Sequence, residues 1–338
     1  MAEPGPPPLW LPAAFNSGWT YRDRVRTADL EATAGDSPLW VSAFYAARYR
    51  HSGQGVWRER LAAGEIRRNG QQLRADGALA AGDGLAWHRP PWQEAAVPGA
   101  WSVVFDDGDL HVLDKPSGLP VLPAGGWLEH TLLRLLERRH GDDAAGIPRP
   151  VHRLGRFTSG LLVCARRPAT RAWLSARLRE STAAHPEGAG PAAAQGCRKL
   201  YRALVVPGVL PLAPGASLPI AVPIGRRPHP QLGELWCAAD GSESGDRAAH
   251  STLTLLERGA RADLVQVAIA SGRPHQIRIH CAAIGAPLLG DPLYGPGGLA
   301  RAEALPGDGG YRLQAWRLEL EHPDGGRLEL EVPEALGL

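Results

Sequence analysis

The stretch PPWQEAAVPG, residues 90–99, limits what this chain can fold into more than any other. Proline fixes φ and removes an amide donor, and Gly99 favours a turn, so neither a helix nor a central strand should run through it. At 338 residues the chain is also too long for one ordinary core. Together these facts predict a small unit before the break and a large one after it. The expected boundaries are an extension over 1–37, a module over 38–92, a linker over 93–99 and a main domain over 100–338. The extension opens MAEPGPPPLWLP and is expected to be partly disordered.

Composition then excludes several classes. No apolar run approaches the length of a membrane helix, so no membrane partner is expected. The first residues carry neither the charged region nor the apolar core of a secretory signal. Cys164, Cys197, Cys237 and Cys281 are scattered without a CxxC pair, which points to reduced thiols in a cytoplasmic setting and to no zinc site. The net charge of +2 says little, but its distribution says more. Residues 149–180 carry eight arginines against one glutamate, while 100–146 carry eight acids against four basic residues. Such a local excess suits phosphates, although a charge run by itself usually means a solvated face. Nothing in the sequence favours an oligomer, so a monomer is the expectation.

In the small unit, VWRERLAA reads as a short helix closed by Gly64. EIRRNG reads as a strand entering an Asn69–Gly70 turn, and GDGLAWHRP as a second strand. This pattern resembles the S4 RNA-binding module; a plain packing domain is the alternative. Beyond the break, WSVVFDDGDLHVLDKPSG reads as a hairpin and HTLLRLLERRHG as an amphipathic helix. KLYRALVV and DLVQVAIASG read as strands, with Lys199, Tyr201, Ala203 and Val205 sharing one face. RPHQIRIHCAAIG reads as a helix with Pro274 near N1, a stripe of Ile277, Cys281 and Ile284, and Gly285 at its end. Residues 181–196 are of low complexity and read as a mobile insertion.

Four stretches occur in one order: FDDGDLHVLDKPSGLPV (105–121), HRLGRFTSGLLVCAR (152–166), RKLYRALVVPG (198–208) and ASGRPHQIRIHCAAIGAPLLGDPLYG (270–295). Together they resemble the RluA-type RNA pseudouridine synthases, which often place an S4 module before the catalytic domain. The resemblance implies an α+β fold, a central mixed and mainly antiparallel sheet with flanking helices. It implies isomerisation of uridine to pseudouridine in structured RNA, rRNA or tRNA, with no metal and no organic cofactor. The base must be flipped out, because C1′ and C6 are inaccessible inside a stack.

The family motif reads HRLD, and its aspartate acts beside the sugar as nucleophile or base. Here Gly155 stands at that position, in a form, HRLGR, that resembles a branch of the family in photosynthetic lineages. A glycine offers no oxygen and no charge. Either a second carboxylate enters (Asp106, Asp107, Asp109, Asp114 or Asp291), or a water or the RNA supplies the base. The alternative is a catalytically impaired RNA-binding protein on the same fold. By resemblance, Arg153 enters the vacated stack, Tyr201 stacks on the base and moves a proton, and Arg278 faces the missing acid. Arg156, Lys115, His152, Arg273 and Gln276 are the expected RNA contacts. His275 and His280 are five apart, not the four that sets two ligands on one helix face, so no metal site is expected.

Overall fold

The computed structural model describes residues 9–32, 37–180, 197–269 and 271–338. The low-complexity stretch 181–196 and most of the proline-rich start lie outside them. The described residues divide into two compact units, one of Met1–Ala13, Ala95–Arg227 and Leu235–Leu338, the other of Ala14–Glu94 and Pro228–Glu234.

The larger unit is built on a ten-stranded sheet. Its strands run, from one edge to the other, Ser217–Ile220, Ser251–Arg258, Asp263–Ile269, Arg198–Val205, Leu313–Glu321, Thr158–Ala165, Leu110–Lys115 and Ser102–Asp106. Arg149–Pro150 pairs with Thr158–Ala165, and Arg327–Glu331 with Leu313–Glu321. Every pairing is antiparallel except one. Thr158–Ala165 lies parallel to Leu313–Glu321, with Thr158 opposite Leu313 and Gly160 opposite Ala315. The α+β fold with a mixed, mainly antiparallel sheet is therefore as expected. Leu161 to Ala165 are all buried, the continuous apolar run of a strand covered on both faces.

The helix Gln276–Ala283 packs Ile277 and Cys281 against Ala203, Val205, Val265 and Val267 of the sheet. It is buried from Gln276 to Ala282 rather than along one stripe. Pro274 lies before His275, the N-cap, and so falls outside the first turn where it was expected. Leu132–Arg139 is the amphipathic helix anticipated, N-capped by Thr131 and burying Leu132, Leu135 and Leu136.

The parallel junction decides where function can sit. Two parallel strands begin at the same end, so the segments that lead into Thr158 and Leu313 emerge side by side. One is the HRLG loop; the other contains Tyr311. At the junction itself Gly160 has φ +100°, and a Cβ there would meet Ala315 O at 2.2 Å, so only glycine fits.

The smaller unit starts well before residue 38. Trp19–Arg24 pairs along its whole length with Gly84–Arg89, which makes it the edge of a four-stranded sheet completed by Ile66–Arg68 and Gln71–Gln72. Residues 93–99 are also more than a linker: Gln93–Glu94 pairs with Ala14–Phe15, and Val97–Pro98 with Trp10–Leu11. Both boundaries were missed because strand partners far away in sequence, not local composition, hold these residues in place. The other local readings hold. Gln54–Ala62 is helical and followed by Gly64 at φ +76°, and the turn after Ile66–Arg68 has Asn69 at +50° and Gly70 at +84°. Positive φ at both central positions is what a tight type I′ turn requires.

Candidate active site

The loop 151–157 is pinned by its neighbours. Leu154 is buried among Leu113, Leu119, Leu132 and Leu162, while Arg153 and Gly155 on either side face outward. Lys115 is fully buried, and its ammonium donates to the carbonyls of Pro116 (2.8 Å), Leu119 (2.8 Å) and Arg156 (3.1 Å). The Gly118 amide donates to Arg156 O, and Arg156 Nε returns a bond to Gly118 O. Ser117 Oγ donates to Phe157 O at 2.9 Å. The DKPSG turn is thus laced to the HRLGRF loop along its edge.

These contacts correct three expected RNA contacts. Lys115 spends all three donors inside the protein, and burial pushes its pKa down to about 7. His152 Nε2 accepts the Val163 amide at 3.0 Å, and burial pushes its pKa down to about 3, so it stays a neutral backbone acceptor. Gln276 is buried: it donates to His250 O and Ser251 Oγ and accepts from Ser271 Oγ and the Arg273 amide. Arg156 has its guanidinium carbon 4.3 Å from the Trp127 ring centre and 4.8 Å from that of Phe157. Arg273 Nε donates to Ala248 O at 3.2 Å. Arg153 is exposed.

Arg278 has found an anion. Its Nε and Nη2 each lie 2.7 Å from the Asp291 carboxylate, with both side chains almost wholly buried, 3% and 1% exposed. Burial alone would lower the guanidinium's pKa, and the bonds to Asp291 outweigh it. Asp291 also accepts the amides of Leu293 and Tyr294, so its charge is fully compensated. The Arg278 guanidinium carbon lies 4.2 Å from the Tyr311 ring centre and 5.1 Å from that of Tyr294.

His275 stands at the helix start in the left-handed region, φ +56°. Its Nδ1 is 2.7 Å from Tyr294 Oη, which itself donates to Trp236 O at 2.8 Å. The phenol proton is therefore used, and His275 must donate from Nδ1, leaving Nε2 as the lone-pair nitrogen. Burial, then the charge of Arg278, pushes the His275 pKa down to about 3; Arg153 acts in the same direction.

Among the described residues, no carboxylate is one of the three nearest neighbours of a side chain built at Gly155. A Cβ built there would meet Tyr311 Oη at 2.5 Å, Thr158 Oγ1 at 3.2 Å and Tyr311 Cζ at 3.8 Å, these being its three nearest neighbours. Tyr311 is 2% exposed, and its hydroxyl lies 3.4 Å from Thr158 Oγ1. The other acids are held elsewhere. Asp106 is bound by Arg166 and His111, Asp107 by His322, and Asp109 by Arg167 and Thr170. Asp114 alternates with Lys115 along one strand and so points to the other face.

Tyr201 is opposite Ala315, which in turn is opposite Gly160, so it lies beside the parallel junction. Half-buried, it touches the apolar clusters on both sides of that junction, and burial pushes its pKa up. The structure thus gathers Gly155, Thr158, Tyr311, Arg278 and Asp291, with His275 and Tyr294 behind them. Tyr311 was not among the residues singled out from sequence. The available signal was a gap: a vanished side chain beside a retained Arg278 implies that some other group fills the space.

Residues 109–283 match the family model described as RNA pseudouridylate synthase. The chain belongs to that family. An uncharacterized RNA pseudouridine synthase of Synechocystis is 40% identical over 281 residues, covering 82% of this chain and 88% of the relative. RNA pseudouridine synthase 5 of Oryza sativa is 36% identical over 367 residues, 95% and 89%. Ribosomal large subunit pseudouridine synthase D of Nitrosomonas europaea is 33% identical over 245 residues, 70% and 62%. The chain is accordingly an RNA pseudouridine synthase, a member of an isomerase family whose substrate is RNA. Among the described residues no helix is long and apolar enough to cross a membrane.

Proposed function

We propose that this pseudouridine synthase isomerises uridine in structured ribosomal or transfer RNA after flipping the base out of its stack. The observation that carries the reading is the group around Gly155. A buried, permanently charged Arg278 sits behind Tyr311, while Arg153, two residues before Gly155, is exposed. A planar guanidinium can stack and donate hydrogen bonds together, which suits Arg153 to the space a flipped base leaves. Tyr201 is the proposed partner of the flipped base, and Arg273 and Arg156 the flanking contacts. The similarity to a ribosomal large-subunit synthase supports rRNA as the first substrate to try.

The smaller unit is proposed as an S4-like RNA-binding module acting as a monomer with the larger one. Its helix-and-hairpin pattern and the exposed Arg22, Arg24 and Arg67 support this. Four unpaired thiols support a reducing, cytoplasmic setting. The test is to incubate the chain with cellular RNA lacking pseudouridine and map new sites at nucleotide resolution. New pseudouridine at defined positions is the expected result. Salt-sensitive RNA binding without conversion would instead establish the second reading, a non-catalytic binder, which the missing carboxylate at Gly155 favours.

A further inference from the structure

Gly155 leaves free a space that the Tyr311 hydroxyl borders. An aspartate oxygen lies two bonds from its own Cβ, roughly 2.4 Å away by ordinary bond lengths. Tyr311 Oη lies 2.5 Å from the Cβ position of Gly155. The phenol oxygen therefore stands as far from that Cβ position as a carboxylate oxygen would, and the glycine leaves room for it. The parallel start of Thr158–Ala165 and Leu313–Glu321 explains how a residue so distant reaches that point. Arg278, whose charge is fixed by Asp291, lies against the same ring.

We propose that Tyr311 is the catalytic residue of this synthase, its hydroxyl acting in place of the absent acid. This rests on the reading that the chain converts uridine. Tyr311 Oη attacks C1′ of the flipped uridine; the C1′–N1 bond breaks, and its electron pair leaves with uracil N1, which takes the phenol proton. The uracil turns in place. C5 then attacks C1′, the bond from C1′ to Tyr311 Oη breaks with its electrons returning to oxygen, and the proton lost from C5 restores the phenol. Atoms and charge balance, and nothing is oxidised or reduced. Phenol oxygen as a nucleophile at an anomeric carbon has precedent in sialidases. Arg278 stabilises the oxygen while it is anionic, and Thr158 is within reach of it.

The test compares the full-length parent with Tyr311→Phe, Gly155→Ala, Gly155→Asp and the double variant Gly155→Asp with Tyr311→Phe. The substrate is an RNA found to be converted by the parent, and thermal melting is followed in parallel. Tyr311→Phe keeps the ring and should slow conversion roughly 1,000-fold, as loss of a nucleophile does. Gly155→Ala removes no group, yet its methyl would displace Tyr311 Oη, so it too should lose most activity. Gly155→Asp alone should not gain, because its carboxylate contends with Tyr311 for one site. The double variant should recover activity, with its rate profile moved to lower pH, since a carboxyl ionises below a phenol. A parent that forms no pseudouridine overturns the proposed function. An active parent whose Tyr311→Phe or Gly155→Ala variant works equally well overturns this inference alone.

Discussion

Among the described residues of the larger unit, Lys115 and Arg278 are buried cations kept in different ways. Lys115 faces three backbone carbonyls and no carboxylate in contact; Arg278 faces Asp291 across two short bonds. The consequence is opposite. Burial without a counter-ion brings the Lys115 pKa down to about 7, so its charge is conditional. Arg278 is held charged at any pH the fold survives. The first serves as mortar between two loops. The second, paired with Asp291, lays its guanidinium against the Tyr311 ring. Carbonyl dipoles suffice to place a side chain, but a full counter-charge is needed to keep a charge buried.

The largest effect should come from breaking the second arrangement. Asp291→Ala leaves a buried guanidinium unpaired and should destabilise the larger unit by about 3–5 kcal/mol, read from denaturant unfolding. A loss below about 1 kcal/mol would mean the two cations are held alike. Lys115→Met keeps most of the side-chain volume but removes the donor from the Pro116 and Leu119 carbonyls, and should cost about 1–3 kcal/mol.

Lys115 also predicts a direction with pH. Its folded pKa of about 7 lies below the ordinary 10.5, so between these values the unfolded chain binds more protons. Stability should therefore rise as pH goes from about 7 toward 10.5, and Lys115→Met should flatten that rise. On the acid side His152 and His275 are held near 3 against an ordinary 6.5. Here too the unfolded chain binds more protons, so stability falls as pH drops from 6.5 toward 3. His152→Gln, which can still accept the Val163 amide, should make that fall shallower. The smallest structural effect is expected of Arg153→Ala, within about 0.5 kcal/mol because the side chain is exposed. Its RNA affinity should nonetheless weaken, with a salt dependence reduced by about one ion.

Much of the fold could be read because its signals are local. The Asn69–Gly70 turn, the hairpin after Trp101 and the capped helix at Leu132 each follow from a few adjacent residues. The chemistry was harder. Lys115 was expected to face RNA, since nothing in DKPSG says that three carbonyls curl around its ammonium. The arginine-rich stretch looked like a phosphate footprint. In the fold, acids of 100–146 pair with three of its eight arginines: Asp106 binds Arg166, Asp109 binds Arg167, and Glu137 binds Arg149. Arg278, read from sequence as facing a missing acid, is paired with Asp291 in GDPLYG, one of the five carboxylates considered. Tyr311 carried no periodic or motif signal, because its place beside Gly155 is set by strand pairing across most of the domain.

That pairing has a consequence for synthesis. Thr158 and Tyr311 stand 153 positions apart, and the strand that delivers Tyr311 is made after all four motifs. A nascent chain halted just before Tyr311 would display all four motifs that identify its ancestry and still own only half a reaction centre. For such a protein, premature release from the ribosome costs catalysis before it costs recognisable sequence.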